Sequence, residues 1–346
     1  MNTLVSSKAL GAAALQLDYL PHAQLAAQPQ SWWRNVLGVV GFGVTPAFER
    51  LPVPMVTSMT PPLHVGNACE VWRASGAAEL VNGQSGNSSL RYRFCDDLLF
   101  GCIALDEGSM SGGADALMRA TEIAYQEIFE VLSGTEHPHL SRIWNYLADI
   151  NVHVGGDERY RHFNSARQMA FRKSGRATMG TVPAACALGS PSGSPLSIYF
   201  LAARQAPTMI ENPRQTSAYH YPPKFGRHSP IFSRACVWGG QESARLFISG
   251  TASIVGHETL HRGDVVAQTR ETMINIGALV DEANDLIGHT RYSIDTLKLK
   301  VYVRRPADLT AIETTLAQMP RAATSVVYLQ ADVCREDLLM EIEAVG

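Results

Sequence analysis

The stretch that decides the fold is "LLMEIEAVG", Leu338 to Gly346. Read as a β-strand, it places Leu338, Met340 and Ile342 on one side and Glu341 with Glu343 on the other, because side chains alternate across a strand. Two acids on one face admit two readings: the face is wet, or one of the acids works in a pocket.

Working outward from that strand, "SVVYLQADV" and "TLKLKVYVRR" are further strands, separated by a short helix, "ADLTAIETTLAQ". Before them, "RGDVVAQTRETMINIGALVDEAN" predicts a long helix from about Asp264, which can cap its own start, to Asn284. "ARLFISGTASIVG" and "LSIYFLAAR" are strand-like runs rich in branched and aromatic residues. The first half repeats this order in outline. Apolar residues recur at helical spacing from Ala114 to about Leu132 and stop at Gly134, "RIWNYLADINVHV" reads as a strand, and "DERYRHFNSARQMAFRK" as an amphipathic helix from near Asp157. The sum, β-β-α-β-α-β-β, predicts an α+β protein with mixed β-sheets and helices packed on one face. The recurrence suggests duplication. The Gly, Ser and Pro cluster "ALGSPSGSPLS", Ala187 to Ser197, sets the expected boundary: an N-terminal segment over 1–30, one domain over 31–189 and a second over 195–346.

A chain of 346 residues is long enough for two cores. Its net charge of −3 leaves no electrostatic footprint for nucleic acid or an acidic membrane surface. It contains no apolar run of membrane-spanning length, and "MNTLVSSKALGAAALQLDYL" lacks the uninterrupted apolar stretch of a secretory signal. A cytoplasmic protein is expected. The six cysteines are scattered, with no CxxC pair, which fits free thiols in a reducing compartment. "GVVGFG", Gly38 to Gly43, lacks dinucleotide-fingerprint spacing, and "GSPSGSP" lacks the ending of a phosphate loop. His257 and His261 stand four apart but before the expected helix, so no metal and no organic cofactor is expected.

Two stretches keep chemical interest. "ENPRQTSAYHYPPKFG", Glu211 to Gly226, carries Arg214, Tyr219, Tyr221 and Lys224 on a proline-punctuated loop, either a functional loop or a surface Ω-loop. "GGDERYRHFNSARQMAFRK" sets Arg161 and Arg167 on one helix, either as a solvated face or as guanidinium forks for carboxylates.

"FISGTASIVGHETLHRGDVVAQTRETMINIGALVDEAN" with the closing "EIEA" strand resembles the RidA/YjgF superfamily, which carries an "SG" strand, a "GD...AQT...N" helix and that ending. This resemblance covers about the last hundred residues and implies two RidA/YjgF-like domains, the first degenerate. "NPRQTSAYHYPPKFG...SPIFSRA" and "ERYRHFNSAR" are similar to one branch of it, the chorismatases, from about Arg142 onward. That family removes the enolpyruvyl group of chorismate as pyruvate, without metal or organic cofactor. The resemblance implies Glu341 as the catalytic acid and Tyr219 as the active-site tyrosine. Cys334 and Gly250 resemble the aromatizing branch, which makes 3-hydroxybenzoate, or 3- and 4-hydroxybenzoate together in xanthomonadin pigment and ubiquinone biosynthesis. The family's substrate-binding arginine falls on Arg161 or Arg167, with Arg304 or Arg305 as other candidates for a carboxylate and Tyr221 and Lys224 beside them. The arginine that simple imine deaminases place before the final strands has no match in "SVVYLQADV". A hydrolysing chorismatase giving a dihydroxycyclohexadiene carboxylate, and a non-catalytic small-molecule binder on the same fold, are the alternatives. Simple superfamily members are trimers with sites between subunits, so a monomer that completes such a site internally, or a small homo-oligomer, is expected.

Overall fold

Strands whose every residue is buried, such as "LSIYFLAA", must be covered on both faces, and the architecture shows how. The structure, a computed structural model, describes residues 14–43, 51–64, 69–75, 80–84, 89–110, 115–239, 244–320, 322–323 and 325–346. Residues 1–13 of the expected N-terminal segment and Ala114 at the expected helix start lie outside the described residues.

The first sheet holds β1 (Ala14–Leu20), β2 (Val36–Phe42), β3 (Met55–Ser58) and β4 (Cys69–Ser75) in the order β1-β4-β2-β3, with a short helix α1 (His22–Ala26) after β1. The second is built from β5 (Val81–Gln84), β6 (Arg91–Phe94), β7 (Leu98–Leu105), helix α2 (Ala116–Gly134) and β8 (His139–Ala148). A small hairpin, β9 (His153–Val154) and β10 (Asp157–Glu158), leads into helix α3 (Arg159–Lys173), followed by β11 (Ala184–Ser190) and β12 (Leu196–Ala203). Read from β5, its order is β5-β6-β7-β12-β8-β11. The third holds β13 (Thr208–Ile210), β14 (Ala235–Trp238) and β15 (Arg245–Thr251), then the hairpin β16 (Ile254–Val255) and β17 (Glu258–Thr259) and helix α4 (Val265–Ile287). It finishes with β18 (Lys298–Val303), helix α5 (Leu309–Ala317), β19 (Ser325–Gln330) and β20 (Met340–Val345), in the order β13-β14-β15-β20-β18-β19.

The second and third sheets share one topology: a three-strand meander, two strands paired in parallel (β8 with β11, β18 with β19), and a last strand inserted between third and fourth. The first sheet repeats the later part of the same plan. β2 pairs β3 in parallel, and β4 returns between β1 and β2. The described residues therefore form two full units preceded by a partial one, where the sequence indicated two. The Gly/Ser/Pro stretch joins β11 to β12 within one sheet, and the chain passes to the third sheet after Ala203 rather than at 189–195.

The helices lie on the outer faces. Leu117, Tyr125, Phe129, Phe163 and Phe171 of α2 and α3 pack with Ile143, Ile198 and Phe200; Met273, Ile276 and Ile312 of α4 and α5 pack with Met340, Ile342 and Ala344. The inner faces of all three sheets share another core, including Phe42, Trp72, Phe100, Trp144, Tyr199 and Tyr302. Helix α4 starts with Asp264 accepting from the Ala267 amide at 3.0 Å and stops at Gly288, whose left-handed φ of 76° suits glycine.

Within the inner core sit four charges. Lys300 of β18 pairs with Glu70 of β4 and with Glu343 of β20 at 2.6 Å, and donates to the Tyr199 hydroxyl of β12 at 2.9 Å. Arg142 of β8 pairs with Glu343, which also accepts from Tyr302 at 3.0 Å. Burial alone pulls Lys300 down, but the charges of Glu343 and Glu70 outweigh it and hold its pKa above the ordinary lysine value. Removing one member strands the others in a low dielectric. Lys300→Met is expected to lower the unfolding free energy by about 3–5 kcal/mol, read from urea denaturation, and an unchanged midpoint would show that the network contributes nothing.

Candidate active site

The β20 alternation holds. Met340, Ile342 and Ala344 face the helices, while Glu341 and Glu343 turn inward and are each only 4% exposed. The face is dry. Glu343 is consumed by its ion pairs, which outweigh burial and hold its carboxyl below the usual range. Glu341 instead lines a cavity of about 460 Å³ between the second and third units, a volume suited to a small-molecule ligand.

Two loops flank Glu341, and helix α4 clamps both. Gln268 donates to the Asp337 carbonyl and accepts from the Leu339 amide, each at 2.8 Å. Asn275 donates to the carbonyls of Ala252 and Ile254 at 3.0 and 2.9 Å. These are the two polar residues of the "AQT...N" pattern, and both are fully buried. Gly250 sits where β15 loses register with β20. A Cβ there would overlap the Glu341 Oε1 and approach the Cys186 Cβ at 3.0 Å, so the glycine makes the space that the carboxyl occupies.

Glu341 is pushed up to about 8, first by burial and then by the charge of Glu343, against the opposing pull of Arg142, Arg234 and Arg304. At neutral pH it is a carboxylic acid. Cys334 lines the same cavity, its thiol pushed up to about 12 by burial and then by Glu341, so it stays protonated.

Two arginines that the sequence did not single out as site residues provide the cationic wall. Arg335 lies 4.1 Å from the Phe225 ring centroid and donates through Nη1 to the His257 carbonyl at 2.9 Å, while its buried Nη2 has no acceptor. Arg234 donates through Nη2 to the Tyr221 hydroxyl at 2.7 Å and to the Thr216 carbonyl at 2.8 Å, while its buried Nε has none. Tyr160, Phe232 and Ile254 complete the apolar wall.

The residues expected at the site divide. Glu341, Gly250, Cys334, Tyr221, Lys224 and Arg161 line the cavity. Lys224 is at the rim, ion-paired with Glu258, and Arg161 binds Asp157 at 3.1 Å and the Lys224 carbonyl at 3.3 Å. Arg167 does not reach it. It is 2% exposed in the core, bonded to Asn164 at 2.9 Å and stacked over Phe163, because its helix position faces α2 and the sheet. Arg304 has its guanidinium filled by Asn151, Asp332 and the carbonyls of Val333, Arg335 and Leu338, so it holds the loop and is not among the residues that line the cavity. Arg305 pairs with Asp308 at 2.9 Å outside the cavity. Tyr219 packs against the α2/α3 core, and Tyr221, two residues on, is the tyrosine of this loop that lines the cavity. Arg214 binds Glu271 and Asn275 of α4.

The strand registers show why the acid belongs to one unit. Glu341 lies opposite Tyr302 in the third sheet, and Ser197 lies opposite Tyr146 in the second. Ser197 is bonded to the Thr57 carbonyl at 3.0 Å. Among the described residues no group of three or more His, Cys, Asp and Glu could hold a metal, and no helix is long and apolar enough to cross a membrane.

Fold and site together define an α+β protein of repeated units, with a buried, protonated glutamic acid facing arginines across a unit junction. Comparison with known proteins gives the family. Residues 70–202 match the model of the chorismatase FkbO/Hyg5-like N-terminal region. The chain is 34% identical over 329 residues to a 3-hydroxybenzoate synthase of Streptomyces hygroscopicus, covering 90% of this chain and 92% of that protein. It is 35% identical over 285 residues to a chorismatase of Streptomyces rapamycinicus, covering 80% and 81%. A crystal structure of a chorismatase, 31% identical, aligns with a TM-score of 0.84 over 97% of this chain and 99% of that one. The chain belongs to the chorismatase family.

The raised pKa has a thermodynamic consequence. An unfolded glutamate releases its proton near 4.5, whereas folded Glu341 keeps it to about 8. The folded state is therefore the better proton binder in that window, and stability is lost as pH rises through it. Glu341→Gln, which cannot titrate, is expected to gain on the natural protein by about 1 kcal/mol per pH unit between pH 5 and 7.5, measured by urea unfolding. A constant difference across that range would mean that Glu341 is ionised throughout.

Proposed function

We propose that the protein removes the enolpyruvyl group of chorismate as pyruvate and aromatizes the ring to 3-hydroxybenzoate, with 4-hydroxybenzoate as a second product and Glu341 as proton donor. The reading rests on one observation: a carboxylic acid that keeps its proton to about pH 8 in a cavity lined by the guanidinium-bearing side chains of Arg335 and Arg234. Chorismate carries two carboxylates and an enol ether whose methylene carbon takes a proton. The names of the relatives, a 3-hydroxybenzoate synthase and chorismatases, point to the same substrate.

Arg335 and Arg234 bind the carboxylates, and the aromatic wall of Tyr160, Phe225 and Phe232 holds the ring. Glu341 then protonates the methylene carbon and becomes a carboxylate, leaving an oxocarbenium ion that turns pyruvate into a leaving group. The C4 oxygen attacks C3, the C3–O bond breaks with its electron pair forming the pyruvate carbonyl, and the C4 hydroxyl proton returns to Glu341. The resulting arene oxide opens at C4–O, loses the C3 proton and takes one on oxygen, giving 3-hydroxybenzoate. Opening at C3–O with loss of the C4 proton gives the 4-isomer. Admission of water to the oxocarbenium ion would give the dihydrodiol acid instead, so a closed apolar wall favours aromatization. Cys334 lies beside this path as a neutral thiol. The protein works as a monomer or small homo-oligomer in the cytoplasm, its products feeding pigment and ubiquinone biosynthesis as the resemblance implies.

Incubation of the purified protein with chorismate, followed by chromatography and a coupled pyruvate assay, is expected to give pyruvate and hydroxybenzoate in equal amounts. Glu341→Gln should lower turnover by about 10²–10⁴-fold, and Arg335→Leu should act chiefly on KM. Gly250→Ala, which forces the carboxyl aside, should shift product toward the dihydrodiol acid, and Cys334→Val should lower the aromatic yield. No pyruvate from the natural protein would end the proposal, metabolite binding without turnover would make it a binder, and dihydrodiol acid alone would assign it to the hydrolysing branch.

A further inference from the structure

We propose that Glu343 is a positioning residue for the catalytic acid: held by Arg142 of one sheet and Lys300 of another, it fixes a carboxylate on the strand face that carries Glu341 and so sets the charge environment of that acid. The inference rests on the reading of Glu341 as proton donor. Its basis is geometric. Glu341 and Glu343 are two residues apart on one face of β20, so their backbones are separated by about 7 Å, and both point into a dry interior. Glu343 is held from two sheets at once. Arg142 reaches it from β8, while Lys300 and Tyr302 reach it from β18. It can neither turn away nor take up a proton without leaving Arg142 unpaired and Lys300 with Glu70 as its one carboxylate.

The surroundings of Glu341 leave Glu343 as the charge that favours the protonated form. Cys186 of β11, Cys334 of the preceding loop, Tyr160 at the start of α3 and Tyr302 of β18 are all raised by burial and stay neutral at working pH. Arg142, Arg234 and Arg304 oppose it, with Arg335 and the partnered Lys300 also near. The cavity's other carboxylates, Glu158, Glu258, Glu336 and Asp337, come from its surrounding loops and hairpins. Glu343 alone shares Glu341's strand face inside the core.

The test follows the Glu341 carboxyl by carbon NMR of side-chain-labelled glutamate in the ligand-free protein, its resonance assigned by loss in Glu341→Gln. The pH profile of pyruvate release from chorismate runs beside it. Glu343→Gln is expected to lower the Glu341 midpoint, and the alkaline limb of turnover, by about one pH unit. Glu343→Asp, which restores the anion, should return both toward the natural values, and Arg142→Gln should move them upward. A merely structural role would not lower the midpoint in Glu343→Gln and restore it in Glu343→Asp. Should Glu343→Gln fail to fold, the double variant Arg142→Gln with Glu343→Gln, which removes the buried pair together, decides against Arg142→Gln alone: a lower midpoint in the double variant supports the proposal, and an equal one overturns it. Unmoved midpoints with pyruvate still released sink only the role of Glu343. Midpoints that move as expected without pyruvate release leave that role standing and sink the enzymatic reading.

Discussion

The Lys300 ammonium is the point on which the three sheets close. The last strand of each unit delivers one group to it: Glu70 from β4, Tyr199 from β12 and Glu343 from β20. An ammonium buried this deeply would give up its proton without such partners, and two buried carboxylates would take protons without the ammonium. Each sheet therefore supplies what the others need to bury their charges. The rings of Phe42, Trp144 and Tyr199, with centroids 5.2–5.7 Å from the Nζ, wrap the group in aromatic faces. Arg142 extends the network toward the cavity by its pair with Glu343, while its guanidinium lies 4.6 Å from the Trp144 ring centroid.

That arrangement divides the labour of two neighbouring acids. Glu343 is ionised because cations surround it, and Glu341, on the same strand face, is neutral because it is desolvated beside that anion. Two carboxyls with pKa values driven apart by their settings are a recurring way to keep one acid protonated at working pH. Repetition of the unit did not repeat the acid. Ser197 sits at the corresponding register position of the second sheet, and its hydroxyl is spent on a backbone carbonyl of the first. The junction of the second and third units combines an acid, an opening made by a missing Cβ, and the guanidinium-bearing side chains of Arg234 and Arg335.

Much of this was legible in the sequence. Alternation in "MEIEA" put both acids on one face, and helical spacing from Asp264 to Asn284 bounded α4 to within a few residues. The glycine and cysteine that resemblance placed near Glu341 do line its cavity. The partial unit of the first sheet was not legible, because among its described residues the α-helix has only five residues and so shows little helical periodicity. The boundary at the Gly/Ser/Pro stretch misled for a related reason: a strand-to-strand loop and an interdomain linker use the same residues.

The arginines divide most sharply. Composition and spacing made Arg167 and Arg304 as plausible as Arg335 and Arg234, since each is a guanidinium near a structured element. What separates them is where the folded chain places each. Arg304 meets two side chains and three carbonyls, and Arg167 lies over Phe163 in the core with a buried Nε of its own unfilled, whereas Arg335 and Arg234 line the cavity. The sequence by itself determined the local periods, the caps and the inward face of the last strand, because these depend on residues close along the chain. Only the tertiary structure decided which acid is neutral, which arginines line the cavity and where one unit ends, because desolvation and hydrogen-bond filling depend on groups brought together from distant strands.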